Sequence, residues 1–184
     1  WLAAVLLAGG GLPSRAAETT AEPLCSLFDG QTLKGWIQKG GKAQYTVENG
    51  TIVGTTVLNT PNSFLCTEKA YDHFILELEF RVDASLNSGI QIRSQCFDHA
   101  TVVRIGEKDL RLPAGRVHGY QVEIDPSARA FSGGIYDEGR RGWLADLKNN
   151  EPARRAFLPN QWNHFRIEAR GALLKTWLNG VPAV

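Results

Sequence analysis

Methionine is absent from the 184 residues, cysteine occurs three times, and neither sign of charge dominates. With 20 basic and 19 acidic side chains the formal net charge is +1, a balance that gives no sign of a nucleic-acid or anionic-membrane partner. The most apolar run, Leu2-Ala3-Ala4-Val5-Leu6-Leu7-Ala8, is too short to cross a bilayer as a helix, which excludes a transmembrane segment. No C-x-x-C or H-x-x-x-H spacing occurs, so zinc sites of the usual kinds are excluded. No strand is followed by G-x-G-x-x-G and a helix, so neither NAD nor flavin is expected. Helix formers do not recur at helical spacing over any long window, which excludes a helical bundle.

What is present is glycine, 19 of it, between short alternating stretches. That pattern, at a length suited to one sizeable core, predicts an all-β domain. The apolar run at the start, with Gly9-Gly10-Gly11 and Ser14-Arg15-Ala16 after it, fits the apolar region and cleavage site of a secretory signal. Residues 1–17 are therefore expected to be part of a signal peptide, 18–25 a linker and 26–184 the domain, and the protein is expected to be secreted or periplasmic. Export permits a disulfide. Cys66–Cys96 is the expected bridge, both lying within predicted sheet, with Cys25 left over. Glu22-Pro23-Leu24 lacks the small residue that precedes a lipidated cysteine, which argues against a lipid anchor at Cys25.

Several stretches read as strands. Tyr45–Val53 is a hairpin around Asn49-Gly50, a pair suited to a type I′ turn. Phe64–Thr67 is a short strand. Phe74–Val82 alternates, with Phe74, Leu76, Leu78 and Phe80 inward against Glu77, Glu79 and Arg81 outward. Ser88–Arg93 opposes Ile90 and Ile92 to Gln91 and Arg93. Phe97–Arg116 reads as a long polar connection. Asn163–Glu168 and Leu174–Gly180 form a last hairpin around Gly171. Such a series predicts two packed antiparallel sheets.

Chemistry concentrates between His118 and Trp143. Tyr120, Val122 and Ile124 point one way along a strand, and Gln121, Glu123 and Asp125 the other. Pro126 ends the ladder. A loop then carries Ser132-Gly133-Gly134, Tyr136, Glu138, Arg140, Arg141 and Trp143. The polar faces of other strands add Gln91 and Arg93, His164, Arg166 and Glu168, then Lys175 and Trp177. Forked donors and acceptors beside aromatic rings suit a sugar, whose hydroxyls pair with the forks while its ring stacks. A sheet face held by cross-strand ion pairs would read the same way.

Six motifs in order over residues 27–181 carry a resemblance. They are Leu27-Phe28-Asp29-Gly30 with Gly35-Trp36; Asn87-Ser88-Gly89-Ile90 with Arg93; Gly119 to Asp125; Ser132-Gly133-Gly134-Ile135-Tyr136; Trp162-Asn163 with Arg166-Ile167; and Trp177-Leu178-Asn179-Gly180-Val181. The chain resembles the 3-keto-disaccharide hydrolase family. The resemblance implies a concanavalin- or laminin-G-like jelly-roll sandwich and a hydrolase acting on glycosides already oxidised at C3. Two departures stand out. Gln121 precedes Glu123 where the family commonly has Glu then Gln, and the family continues past Asn179-Gly180-Val181 with sheet-closing strands, so the sandwich is expected to be incomplete at its C-terminus.

The implied chemistry needs a base for the C2 hydrogen and a partner for the enolate oxygen. The resemblance casts Glu123 or Asp125 as base, or both as ligands of a divalent cation, and Arg93 as partner of the ketone. His164 is a candidate proton donor or an ordinary sheet histidine. Asn87, Gln91, His118, Gln121, Tyr136, Glu138, Arg140, Arg141, Trp143, Lys175 and Trp177 are the candidate sugar contacts.

Two other readings compete. Retaining glucanases use E-[ILV]-D-x-x-E on this type of sandwich, but here Ala128 stands where the second glutamate belongs, and Glu138 would have to replace it. A non-catalytic carbohydrate-binding module would share sandwich, aromatics and acidic strand. It differs in spreading Glu123, Asp125 and Arg93 over a flat face.

Overall fold

The structure, a computed structural model, describes residues 24–184. The expected signal segment 1–17 and linker residues 18–23 lie outside the described residues. Alternating apolar residues build two four-stranded antiparallel sheets. The first has the order β11 (Gly142–Ala145), β10 (Ile135–Glu138), β9 (Val117–Ile124), β6 (Ser88–Cys96). The second has the order β14 (Val181–Pro182), β13 (Leu173–Leu178), β12 (Asn163–Arg170), β5 (Phe74–Phe80).

One apolar layer joins them. Ile90, Ile92, Val122, Ile124 and Ile135 from the first sheet meet Leu78, Phe80, Phe165, Ile167 and Leu178 from the second. Phe80 and Phe165 stack with centroids 4.6 Å apart. This is an antiparallel β-sandwich, and the inward sets predicted for β5, β6 and β9 are the ones that fill it.

Three smaller pairs lie outside the sandwich: β1 (Trp36–Gly40) with β4 (Ser63–Thr67), β2 (Gln44–Glu48) with β3 (Thr51–Thr55), and β7 (Thr101–Ile105) with β8 (Lys108–Leu112). The β2–β3 turn is Asn49-Gly50, with φ of 51° and 74°, as a type I′ turn requires. The β7–β8 hairpin replaces the predicted polar connection. Arg104, Lys108 and Asp109 mask its alternation, and only Leu112 is buried. The one helix among the described residues, α1 (Glu151–Arg154), is capped by Asn150, whose Oδ1 accepts from the Ala153 N–H at 3.2 Å. The Asn150 amide also donates to the Pro182 and Ala183 carbonyls, pinning the last strand.

The expected Cys66–Cys96 bridge is not formed; all three cysteines are free. Cys66 lies on the separate β1–β4 pair and Cys96 at the end of β6, so no shared ladder holds their Cβ atoms at the ~3.8 Å a disulfide needs. Burial pushes the Cys66 thiol up, and the neighbouring Cys96 adds to it.

Phe165 is fully buried between the sheets. Replacing it with alanine is expected to cost about 3–5 kcal/mol, the range for deleting a large core ring, measured as a lower urea midpoint with an unchanged slope.

Candidate active site

The first sheet has one face in the core and the other turned away from it. Register aligns Gln91, Gln121, Tyr136 and Trp143 as one row across β6, β9, β10 and β11 on the outer face. One row along, Gly89 lies opposite Glu123. Tyr136 and Trp143 meet edge-on at 5.3 Å, and Phe131 packs edge-on against Trp143 at 5.2 Å. The loop from Pro126 to Gly134 curls beside this row and brings Arg129 over the Trp143 ring at 5.1 Å.

Glu123 sits at the centre of the site and is only 4 % exposed. The Asn87 amide donates to its Oε1 at 2.6 Å and the Gln121 amide to its Oε2 at 2.8 Å. A guanidinium nitrogen of Arg129 is 3.9 Å from Oε1. Desolvation by burial pushes the carboxyl above its ordinary 4.5, outweighing the two amides and Arg129. Asp125 raises it a little further.

Asp125, two residues on, is also buried but goes the other way. Burial would raise it, yet the donors win. Arg129 Nε donates at 2.7 Å, Ser127 through both hydroxyl and N–H at 2.6 and 3.2 Å, and the Phe131 N–H at 3.2 Å, so its carboxyl lies below 3.8. Its oxygens are saturated. Asp125 ties the loop that carries Arg129.

The structure distributes the remaining predicted residues unevenly. Asn87, Gln91, Gln121, Tyr136 and Trp143 share the face with Glu123. Glu138 is on that face too, but it pairs with Arg116 at 2.5 Å and lies opposite Gly119. That is four residues along β9 from Glu123, about 13 Å at 3.3 Å per residue. The separation is too large for the two-carboxylate arrangement of a retaining or inverting glucanase.

Arg93 does not join the carboxylates. It occupies a bulge with φ of 48°, and its guanidinium donates to the Asp72 carbonyl at 2.9 and 3.1 Å and to the Gly171 carbonyl at 2.5 Å. It ties the end of β6 to the second sheet. His118 is buried on the core side against Phe97, with ring centroids 5.0 Å apart and Nδ1 3.1 Å from the Arg116 carbonyl oxygen. Arg140 and Arg141 both close onto the fully buried Asp137, at 2.6 and 2.5 Å, and lie over Tyr120. Asp137 pairs with Tyr120, so this cluster belongs to the core side of the sheet.

His164, Lys175 and Trp177 lie on the outer face of the second sheet. There Arg166 bridges Glu77 and Glu168 and covers Trp177 at 5.8 Å. The hydrophobic layer separates them from Glu123. Alternation identifies a polar face but not which of two stacked sheets it belongs to, so the prediction merged two opposed surfaces.

Two residues went unrecognised in the sequence. Arg129 supplies the guanidinium expected of Arg93; its signal was the D-x-x-x-R spacing from Asp125 within the loop. Ser94 donates to Gln91 Oε1 at 2.6 Å, and its only cue was its position beside a bulge that sequence does not mark.

A divalent cation does not match these donors. Glu123 and Asp125 are ringed by N–H groups that a cation would have to displace, and among the described residues no three of His, Cys, Asp and Glu converge on a cation position. A cavity of about 1890 Å³ runs along β4 and the free edges of β5 and β6 and reaches Asn87, Gln91, Gln121 and Glu138. The partners of Glu123 thus form part of its wall.

The outer face of this antiparallel sandwich thus carries a buried carboxylate, forked amides and aromatic rings together, an arrangement that can pair with hydroxyls and stack on a ring. The family described as the 3-keto-alpha-glucoside-1,2-lyase-like domain matches residues 24–184, and the chain belongs to it. No curated protein matches the chain. No helix among the described residues is long and apolar enough to cross a membrane.

Asp125→Ala strips the acceptor from four donors and is expected to cost about 2–3 kcal/mol in unfolding free energy. The contribution of a carboxyl held below its unfolded value is present above that value and lost as pH falls. Denaturant titrations should therefore show the gap between wild type and Asp125→Asn closing as pH drops through 3.8 and below.

Proposed function

We propose that this chain cleaves the glycosidic bond of 3-keto-glycosides by elimination and rehydration, with Glu123 as the base. The single observation that carries the reading is a carboxyl on the outer sheet face, buried and raised above 4.5, with neutral amides as its closest partners. A base for a C–H proton needs that combination: basic enough to accept, yet ionised at working pH.

A ketone at C3 acidifies the C2 hydrogen. Glu123 takes that proton, and the electron pair of the C–H bond moves onto the C3 oxygen as an enolate. Collapse of the enolate restores the C3 carbonyl, forms the C1–C2 double bond and breaks the bond from C1 to the glycosidic oxygen, which leaves with a proton from solvent. Water then adds at C1 while C2 recovers the proton from Glu123. An elimination across C1 and C2 is what a 1,2-lyase performs, in keeping with the description of the family. Arg129 is the cation nearest Glu123 and in this reading faces the enolate oxygen. Tyr136 and Trp143 form the aromatic wall for the sugar, and the Gln121 amide holds Glu123 in place. The apolar segment Leu2–Ala8 supports export, so the substrate would be met outside the cytoplasm.

The rival, a non-catalytic sugar-binding module, has no use for a carboxyl raised by burial beside a guanidinium. Incubation with glucosides and their 3-keto derivatives, with and without chelator, separates the two. Reducing sugar is expected from the 3-keto compounds alone, chelator or not. Glu123→Gln should lower kcat about 10²- to 10⁴-fold, the usual worth of a positioned base. Because the base works ionised, kcat/KM should rise with pH through a limb lying above 4.5. Full activity in Glu123→Gln would end the proposal.

A further inference from the structure

Glu123 receives its Gln121 contact through a longer chain. The Ser94 hydroxyl donates to Gln91 Oε1 at 2.6 Å, Gln91 Nε2 donates to Gln121 Oε1 at 2.9 Å, and Gln121 Nε2 donates to Glu123 Oε2 at 2.8 Å. Every donor points toward the carboxylate. We infer that Ser94, Gln91 and Gln121 form a reversible amide relay that serves Glu123 in both its ionised and its protonated state, with Ser94 and Gln91 as positioning residues; this rests on the reading of Glu123 as the base.

An ionised carboxylate only accepts, whereas a protonated one must also donate. When Glu123 holds the proton taken from the sugar, the N–H of Gln121 faces a group that itself needs an acceptor. A half-turn of the Gln121 amide about its last torsion, which is broad and two-fold, presents its oxygen. Its nitrogen then meets Gln91, so Gln91 must turn as well, because N–H against N–H leaves both unsatisfied. The Gln91 nitrogen in turn needs an acceptor, and the Ser94 hydroxyl oxygen provides it. The hydroxyl proton also has somewhere to go, since the Ile92 carbonyl oxygen lies 3.3 Å from Ser94 Oγ. Both polarities of the chain are satisfied, and the two amides need only exchange the positions of their oxygen and nitrogen.

The backbone is shaped around this chain at each end. A Cβ on Gly89 would come within 2.5 Å of Gln121 Cγ and 3.0 Å of its Nε2. A Cβ on Gly119 would come within 2.6 Å of Ser94 Oγ, and Gly119 has φ of 145°. The β6 bulge sets Arg93 and Ser94 together against Gly119 and brings the hydroxyl onto Gln91. The charged or titratable groups facing Glu123 are Arg129 and Asp125 from the loop and Tyr136 from β10, with the Arg116–Glu138 pair further along the face. From β6 and the residue before it, the neutral Asn87 touches Glu123 and the neutral Gln91 touches Gln121.

Side-chain amide NMR of the intact protein reads the relay directly. The Gln91 amide, which does not touch Glu123, should titrate with the midpoint of the Glu123 carboxyl carbon. Cutting the chain with Gln121→Leu should silence Gln91 while Glu123 still titrates. In kinetics, Gln91→Leu should lower kcat about tenfold and move the acid limb with little change in KM, a pattern that loss of simple sugar contact would reverse. A Gln91 amide that stays silent through the Glu123 midpoint in a protein that turns over 3-keto-glycoside overturns the relay. A Gln91 response in a protein that cleaves no 3-keto-glycoside overturns the assignment of Glu123 as base, and with it the catalytic role of the relay.

Discussion

Strand β9 has to satisfy two opposite surroundings at once. Tyr120, Val122 and Ile124 enter the layer that holds the two sheets together, while Gln121 and Glu123 turn away from it. The spacing of two that puts Val122 and Ile124 at zero exposure also forces Glu123 up beside Gln121 on the other face. A slip of one residue in register would exchange the faces, burying the carboxylate in hydrocarbon and exposing the isoleucine. The packing of the sandwich and the geometry of the site are therefore one constraint.

That constraint also divides the molecule's polar chemistry. Glu77, His164, Arg166, Glu168, Lys175 and Trp177 obey the same alternation on the second sheet and face away from the same core. At the centre of that set Arg166 is held by two glutamates and laid over a tryptophan. There the charges of Arg166, Glu77 and Glu168 are paired with one another. The face with Glu123 differs because its central carboxyl has amides as its nearest donors, and burial decides its acidity.

Most of the strands were legible in the sequence, since Phe74–Phe80, Ser88–Ile92 and His118–Ile124 each carry an unbroken alternation. Asn49-Gly50 named its own turn. What was not legible has physical reasons. Arg93 reads as a functional arginine on a strand, but a bulge at that residue, invisible in the alternation, sends its guanidinium to two backbone carbonyls. Arg140 and Arg141 read as a sugar-gripping rim. Their partner Asp137 sits opposite Tyr120, and this cross-strand pairing alone draws them to the core side. His118 falls on the inward phase of β9, so its burial was readable from the strand itself. The hairpin at Thr101–Leu112 was hidden because a ribbon that buries little needs no apolar face.

Glu123 and Asp125 make the sharpest use of local environment. They are two residues apart, on one face, both nearly inaccessible, and their acidities move in opposite directions. The difference lies in one guanidinium. Arg129 gives its Nε to Asp125 at 2.7 Å and leaves only a distant nitrogen, 3.9 Å away, for Glu123. Coulomb attraction falls with distance, and the neutral amides of Asn87 and Gln121 cannot make up for the water that burial removes. By occupying Arg129, Asp125 stays ionised and keeps the loop in place, while Glu123 is left the more basic of the two. Two like groups whose surroundings push them apart can take different parts in proton chemistry. Here one fixes the cation and the other is free to accept a proton.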